Sequence, residues 1–282
     1  MSATGFVVLT YNRSDALLAV LRALAPQCSP QDVVVVADDG SRPEHVQALR
    51  DGLPFFACPV RHVWHPDVGF TAARARNLGA LAAGADYLVF LDGDCVPSPH
   101  FARQHAALAE AGCFVNGSRV LLSPALTQRA LAQEIDLAAL APGEWLRLRM
   151  SSDVNKLSHL LAWPGAPLRV ETRFRWKGIR SCNFGLAWRD FKAVNGFDES
   201  FSGWGHEDAD LVLRLHHHGS RRKNGFWGTE VYHLWHAGQS RDEEGANRQR
   251  VLGRLETGII RAGAGLAEAR GAPGKILTEL NR

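Results

Sequence analysis

An α/β fold, with a mostly parallel sheet covered by helices, follows from three features of the amino-terminal third of the chain. Strand-length apolar runs alternate with helix-period segments, the turns after the strands are polar, and one run ends in two acids split by a glycine, Asp92-Gly93-Asp94. Such alternation builds parallel strands joined by helical crossovers. Ligands of these sheets bind beyond the carboxyl ends of the strands, where Thr10-Tyr11-Asn12-Arg13, Asp38-Asp39-Gly40-Ser41 and Asp92-Gly93-Asp94 are expected to converge.

Each element has its own signal. Phe6-Val7-Val8-Leu9 is a continuous apolar run, and Asp15 opens a helix that turns Leu17, Leu18, Leu21 and Leu24 to one side. Val33 to Val36 is the second strand, followed by a helix from Pro43 through Leu49, proline being suited to a first helical turn. Val60 to Trp64 reads as a strand, Thr71 as the cap of an alanine-rich helix to Ala83, and Tyr87 to Leu91 as the fourth strand. Beyond Pro99 the spacing predicts a helix to about Ala111, a strand from Phe114 to Leu122 and a helix from Pro124 to about Ala141. Between Arg147 and Arg180 stand eight Lys or Arg against two acids, with Pro164 and Pro167 among them. That segment reads as an irregular insertion, either a solvated loop or a flap and acceptor-side wall that attracts phosphate. Ser181 to Ala187 is a strand, and Asp208 to Leu215 a helix with Leu211 and Leu215 inward. The tail from Ala262 is expected to be a surface helix or partly frayed.

With 282 residues, 46% of them hydrophobic, the chain can bury a full core. A net charge of +3 is too mild to imply nucleic-acid binding, although it does not oppose an anionic ligand or a phospholipid surface. The five cysteines are scattered and never paired as Cys-x-x-Cys, which argues against a disulfide framework or a zinc knuckle and for a reducing compartment. No secretory leader and no membrane-length apolar run is apparent, so a soluble cytoplasmic protein, peripheral to a membrane at most, is expected.

Two clusters carry chemistry. Residues two apart on a strand face the same side, so Asp92 and Asp94 can address one ligand, and Gly93 lets it come close. Hard carboxylate oxygens so placed suit Mg²⁺ or Mn²⁺, and such an ion suits a diphosphate. The second cluster runs from Asn195 to Asp210, where glycines flank Trp204 and three acids, Glu207, Asp208 and Asp210, gather at a helix start. The flat face of a tryptophan commonly stacks on a sugar ring. The run His216-His217-His218 is not expected to chelate an ion, because neighbours on a helix point apart. His233 and His236, which flank Trp235 after a short strand, suggest a nucleotide- or sugar-facing wall. Cys95 reads as a packing residue, Arg74 as a phosphate contact or a solvated helix arginine, and Asp210 as facing solvent or holding its loop.

Taken together, Leu9-Thr10-Tyr11-Asn12-Arg13, Asp38-Asp39-Gly40-Ser41, Ala75-Arg76-Asn77-Leu78-Gly79, Leu91-Asp92-Gly93-Asp94, Asn195-Gly196-Phe197-Asp198, Gly203-Trp204-Gly205-His206-Glu207-Asp208 and Tyr232-His233-Leu234-Trp235-His236 resemble inverting family 2 glycosyltransferases. The resemblance covers most of the chain and implies a Rossmann-like GT-A fold with a galactosyltransferase-type, acceptor-binding carboxyl half. It implies a nucleotide-sugar-binding half at 1–122, an insertion or flap at 123–180, an acceptor and catalytic-base half at 181–261 and a tail at 262–282. By the same resemblance Thr10, Asn12 and Arg13 line the donor pocket, Asp39 accepts from the base ring, Arg76 supports the diphosphate or the metal carboxylates, and Asp92 with Gly93 meets ribose and metal. Asp94 would hold Mn²⁺ or Mg²⁺ with His236 as partner, His233 being the second choice.

An acceptor hydroxyl needs a base on the far side of the anomeric carbon. Asp208 is assigned that role, and Glu207 and Trp204 the orientation of the acceptor sugar. The expected reaction moves a hexose of the Gal, GalNAc or Glc type from a UDP-sugar to a saccharide or glycolipid acceptor in surface polysaccharide synthesis. The absence of a Gly-rich, Lys/Arg-bearing signature near residue 10 argues against a GT-A-like nucleotidyltransferase, and a non-catalytic nucleotide-sugar-binding subunit would be expected to have lost Asp94 or Asp208. Both acids are present.

Overall fold

Strand registry aligns the polar turns. In the computed structural model, which describes residues 3–201, 203, 205–238, 243–271 and 274–281, the first half forms β1 (Thr4–Thr10), α1 (Ser14–Leu24), β2 (Val33–Asp38), α2 (Pro43–Gly52), β3 (Val60–Trp64), α3 (Ala72–Ala83) and β4 (Tyr87–Asp92). Strand β1 runs parallel to both neighbours, with Thr10 opposite Asp38 and Leu9 opposite Asp92. The chain therefore leaves three adjacent strands at one edge, which places the three turns side by side. Helix α3 lies tight on the sheet because Gly79 has no side chain: a Cβ there would stand 2.5 Å from Val7 Cγ1 and 2.9 Å from Ala37 Cβ.

The middle departs from expectation. After β5 (Cys95–Pro97) and α4 (Phe101–Leu108), the strand expected over 114–122 divides into β6 (Cys113–Asn116) and β7 (Ser118–Leu121). The cause is Gly117, whose Cβ would overlap Asn183 Cγ at 2.1 Å; the chain bends there and each half enters a different sheet. The helix expected to reach Ala141 stops as α5 (Pro124–Leu131), and the basic segment begins as a further helix, α6 (Pro142–Met150), before its irregular part. The carboxyl half adds β8 (Val170–Glu171), β9 (Asn183–Ala187), α7 (Trp188–Ala193), α8 (Glu207–His217), β10 (Arg221–Asn224), β11 (Glu230–His233), α9 (Glu244–Arg254), α10 (Leu266–Ala269) and β12 (Ile276–Glu279).

Strand order in the large sheet is β12-β3-β2-β1-β4-β9-β6-β10-β8, and β5-β11-β7 make a small one. Strand β9 lies antiparallel between β4 and β6, so the carboxyl half is built into the middle of the sheet. In the small sheet β11 sets His233 beside Cys95 and Leu121. One apolar core holds Trp145 stacked on Tyr232 at 4.9 Å between ring centres; a second holds Phe90 edge-on to Phe197 at 5.3 Å, and a third, smaller one gathers Phe201, Ala209, Leu213 and Val251.

The described part of the tail is packed on the domain. Leu266 and Ala269 are buried beside α3, and β12 pairs antiparallel with β3, covering an edge that would otherwise expose its backbone groups. Asn281 Oδ1 accepts from Val60 N at 2.7 Å and fixes that end. Among the described residues no helix is long and apolar enough to cross a membrane.

Candidate active site

A cleft of about 1050 Å³ opens over the carboxyl ends of β1, β2 and β4. Of the paired acids after β2, Asp38 turns inward, accepting from Ser41 N at 2.7 Å and meeting His62 Nε2 at 2.9 Å. Asp39 lines the cleft and accepts from Thr71 N at 3.0 Å and Thr71 Oγ1 at 2.5 Å, with His65 Nε2 at 3.2 Å. Thr71 thus stands at the start of α3 without capping it by its side chain, a correction to the sequence reading, because its hydroxyl donates to Asp39. Burial opposes charge on His65, but Asp39 and the Pro66 carbonyl outweigh it and its pKa is raised.

Thr10 and Arg13 line the cleft, whereas Asn12 is not among the lining residues. Its N–H donates to Ser41 Oγ at 2.8 Å and its Oδ1 accepts from Arg42 N at 2.9 Å, bracing the first two turns against each other. Gly93 donates to Leu9 O at 2.7 Å, and a Cβ there would stand 2.7 Å from the same oxygen. Only glycine fits that approach.

Behind the turn of Asp92 sits Arg76, 3% exposed. Its Nη2 donates to Asp92 Oδ1 at 2.9 Å and its Nη1 to Glu207 Oε1 at 3.3 Å, so β4 and the start of α8 are tied through one guanidinium. Burial works against that charge, yet Asp92, Glu207 and Asp208 together raise the pKa. Asp208 lines the same cleft. Burial first, and the neighbouring Glu207 charge second, push its carboxyl up to about 7. A carboxyl so poised exchanges protons near neutrality, as a general base must.

Asp94 is the hub of the opposite side. His236 Nε2 lies 3.3 Å from Asp94 Oδ2, His233 Nε2 3.9 Å from Oδ1, and Arg13 Nη1 3.5 Å from Oδ2. The His236 Nδ1 is 2.8 Å from the Ala237 carbonyl; in the tautomer that donates Nδ1–H to that carbonyl, the Nε2 lone pair faces a carboxylate oxygen. Burial lowers the pKa of His233, which favours a neutral ring with a free lone pair. Lone pairs of oxygen and nitrogen turned on one another fit a divalent cation between them. Ligand atoms of Asp94, Cys95 and His233 also fall within 4.8 Å of one another. Burial holds the Cys95 thiol protonated, its pKa well above the ordinary value, and its Sγ lies 3.6 Å from Asp94 Oδ1. The donors suited to a hard ion are the carboxylates and the imidazoles.

Sequence reasoning gathered Thr10, Arg13, Asp39, Arg76, Asp92, Gly93, Asp94, Glu207, Asp208, His233 and His236, and all of them line the one cleft. Trp204 lies outside the described residues. Missed were Arg119 and Leu121 on β7, Trp176 and Arg180 ahead of β9, and Arg248 on α9, which line it too. The lysine and arginine excess ending at Arg180 was the available signal; Arg119 had only its alternation with buried Val120.

Much of the second cluster is structural. Asn195 Oδ1 accepts from Ala267 N at 3.0 Å, and Phe197 is core. Asn77 binds both ends of the Phe197 peptide unit region, donating to Phe197 O and accepting from Phe197 N, each at 2.9 Å. Asp210 holds its loop: fully buried, it accepts from Arg214 Nε at 2.7 Å and from Arg254 Nη1 at 2.6 Å, the latter also bound to Asp198. Arg74 pairs with Glu199 at 2.9 Å, and His217 binds the Ile259 and Leu255 carbonyls. All five cysteines are free thiols.

The sequence and the fold have known counterparts. The family model for glycosyl transferase family 2 matches residues 6–187, and one described as the N-terminal domain of galactosyltransferase matches residues 168–235. The chain is 32% identical over 249 residues to a validoxylamine A glucosyltransferase of Streptomyces hygroscopicus subsp. limoneus, covering 80% of this chain and 51% of that protein. It is 26% identical over 260 residues to a chondroitin synthase of Escherichia coli, covering 88% and 37%. The chain thus spans about half the length, or less, of these relatives. Among solved structures, S. aureus TarS 1-349 in complex with UDP-GlcNAc superposes with a TM-score of 0.58 at 15% identity, covering 95% of this chain and 69% of that one. GalNAc-T7 with UDP, GalNAc and Mn²⁺ gives 0.54 at 15% identity, covering 90% and 48%. The sheet and its helices are those of the GT-A fold.

Proposed function

The chain belongs to glycosyl transferase family 2, and from that premise we propose that it is a metal-dependent, inverting hexosyltransferase using a UDP-sugar donor and a saccharide or glycolipid acceptor. The observation that carries this reading is that one cleft is lined by Asp94, with His236 and His233 turned to its carboxylate, and, apart from them, by a carboxyl poised near neutral pH, Asp208. A one-step displacement needs both. Relatives titled as glucosyltransferase and chondroitin synthase, and fold neighbours crystallised with UDP or UDP-GlcNAc, support a hexose donor on UDP and a role in building a surface polysaccharide.

In this reading Thr10, Arg13 and Asp39 bind the nucleotide, and Asp92 its ribose. Asp94 with His236 or His233, and Asp92, would hold Mn²⁺ or Mg²⁺, which would supply positive charge to offset that of the departing diphosphate. Arg76 keeps Asp92 and Glu207 in place, and Glu207 with Trp204 orients the acceptor. The Asp208 carboxylate takes the acceptor hydroxyl proton as that oxygen attacks the anomeric carbon from the side opposite the diphosphate, which inverts the configuration. No covalent sugar-enzyme adduct is needed. The test is mass-spectrometric detection of donor hydrolysis over UDP-Glc, UDP-Gal, UDP-GalNAc and UDP-GlcNAc with Mn²⁺, then UDP release with an acceptor panel. Failure of every nucleotide sugar to bind or turn over would refute the assignment.

A further inference from the structure

The cleft also holds cations that no carboxylate among the described residues partners. Arg119 on β7 and Arg180 ahead of β9 both line it. They are close enough to repel: burial, and next the Arg119 charge, draw the Arg180 pKa down. Lys156 stands beside them, its Nζ donating to Ser118 Oγ at 2.5 Å. Its pKa is lowered by burial and, against the pull of Glu230, by Arg180 and Arg119. Among the described residues none of the three is within ion-pair distance of an acid, and the Arg119 guanidinium donates to nothing. Lys177 lines the cleft as well, and Arg222 feels both Arg175 and Arg180, so positive charge continues outward from the cleft.

Mutually repelling charges held half-buried and unpaired are unfavourable in the free protein, and an incoming anion relieves them. Their position sets them on the wall of the cleft opposite the turns of β1 and β2, apart from the residues proposed to bind the nucleotide. Thr10, Arg13, Asp39 and Arg76 come from β1, β2 and α3, whereas Arg119 and Arg180 come from the wall made by β7 and the segment before β9. Arg180 senses the charge of Asp208, and Arg119 lies on β7 two residues before Leu121, which pairs with His233. The pair therefore borders the base, where an acceptor enters.

We infer that Arg119 and Arg180, backed by Lys156, form an anion subsite for the acceptor, so that the accepting saccharide bears a carboxylate or phosphate close to its attacking hydroxyl. This rests on the transferase reading above. A neutral sugar would leave the three cations unpaired, whereas an acidic one gains charge-assisted hydrogen bonds at the place where its hydroxyl must meet Asp208.

The test uses the full chain saturated with UDP and Mn²⁺, so that the donor phosphate site is filled. Methyl β-D-glucuronide, methyl β-D-glucoside 6-phosphate and methyl β-D-glucoside are titrated in turn, followed by tryptophan fluorescence. At least one acidic sugar should bind about tenfold tighter than the neutral one, and Arg119→Gln with Arg180→Gln should erase the difference while changing UDP affinity less than about twofold. The glucuronide and the phosphate separate the two sources of charge. Lys156→Gln, a milder change, should reduce the preference only in part, and a thermal melt verifies that each variant is folded. Equal binding of all three sugars overturns the inference, and so does a loss of UDP affinity in the double variant as large as the loss for the acidic sugar, which would assign the pair to the diphosphate. Failure of UDP to bind faults the donor reading instead; the same sugar comparison without nucleotide still decides the subsite.

Discussion

His236 Nε2 faces Asp94 Oδ2 across 3.3 Å, with the other ring nitrogen turned to the Ala237 carbonyl. Asp94 immediately precedes β5 and His236 follows β11, so the two side chains meet only when β11 pairs with β5. Removal of the carboxylate should strip the metal-dependent part of UDP binding. Asp94→Ala is expected to weaken UDP affinity in Mn²⁺ by about tenfold or more and to leave affinity in EDTA unchanged, measured by calorimetry. His236→Ala should do the same to a lesser degree, and by more than His233→Ala, whose nitrogen stands farther off at 3.9 Å.

Asp208→Asn should lower transfer by about two to four orders of magnitude with UDP affinity preserved, since the amide cannot take a proton. Full activity in that variant would remove Asp208 from the base role.

Because the Asp208 carboxyl is pushed up to about 7, the active carboxylate forms only as pH rises through neutrality. The transfer rate should climb with an apparent pKa near that value. Glu207→Gln removes the like charge that helps raise it, so the rising limb should move to lower pH, whatever the variant does to acceptor affinity. An unmoved limb would contradict the coupling.

The same shift has a stability sign. The folded-state pKa lies above that of an unfolded aspartate, so the stabilisation is fully present below about pH 4 and is lost as pH rises through 7. Asp208→Asn, neutral throughout, should therefore melt at a higher temperature than the parent at pH 8, with the gap closing toward pH 4.

Two residues along, Asp210→Ala should act oppositely. It leaves Arg214, fully buried, without its carboxylate and releases Arg254, so a loss of about 3–5 kcal/mol is expected in denaturant unfolding. Equal stability of the two proteins would show that the carbonyls of Val194 and Gly196, which Arg214 also meets, suffice.

The sequence by itself determined the first four strands, their parallel order and the cleft at their polar ends, because apolar runs such as Val33–Val36 and the acids of Asp92-Gly93-Asp94 report on local geometry within a few residues. It also marked most of the side chains that line the cleft. Only the tertiary structure decided which acid of a pair faces inward, as for Asp38 and Asp39, and which acid of the α8 turn is a structural anchor, as Asp210 is while Asp208 meets the cleft. Those choices depend on partners far along the chain, Ser41 and His62 for one and Arg254 for the other, and no local pattern encodes a distant partner. The break at Gly117, set by Asn183, and the strand formed by the tail against β3 have the same origin. So does the pairing of Arg119 with Arg180: two charges that sequence separates and folding forces together.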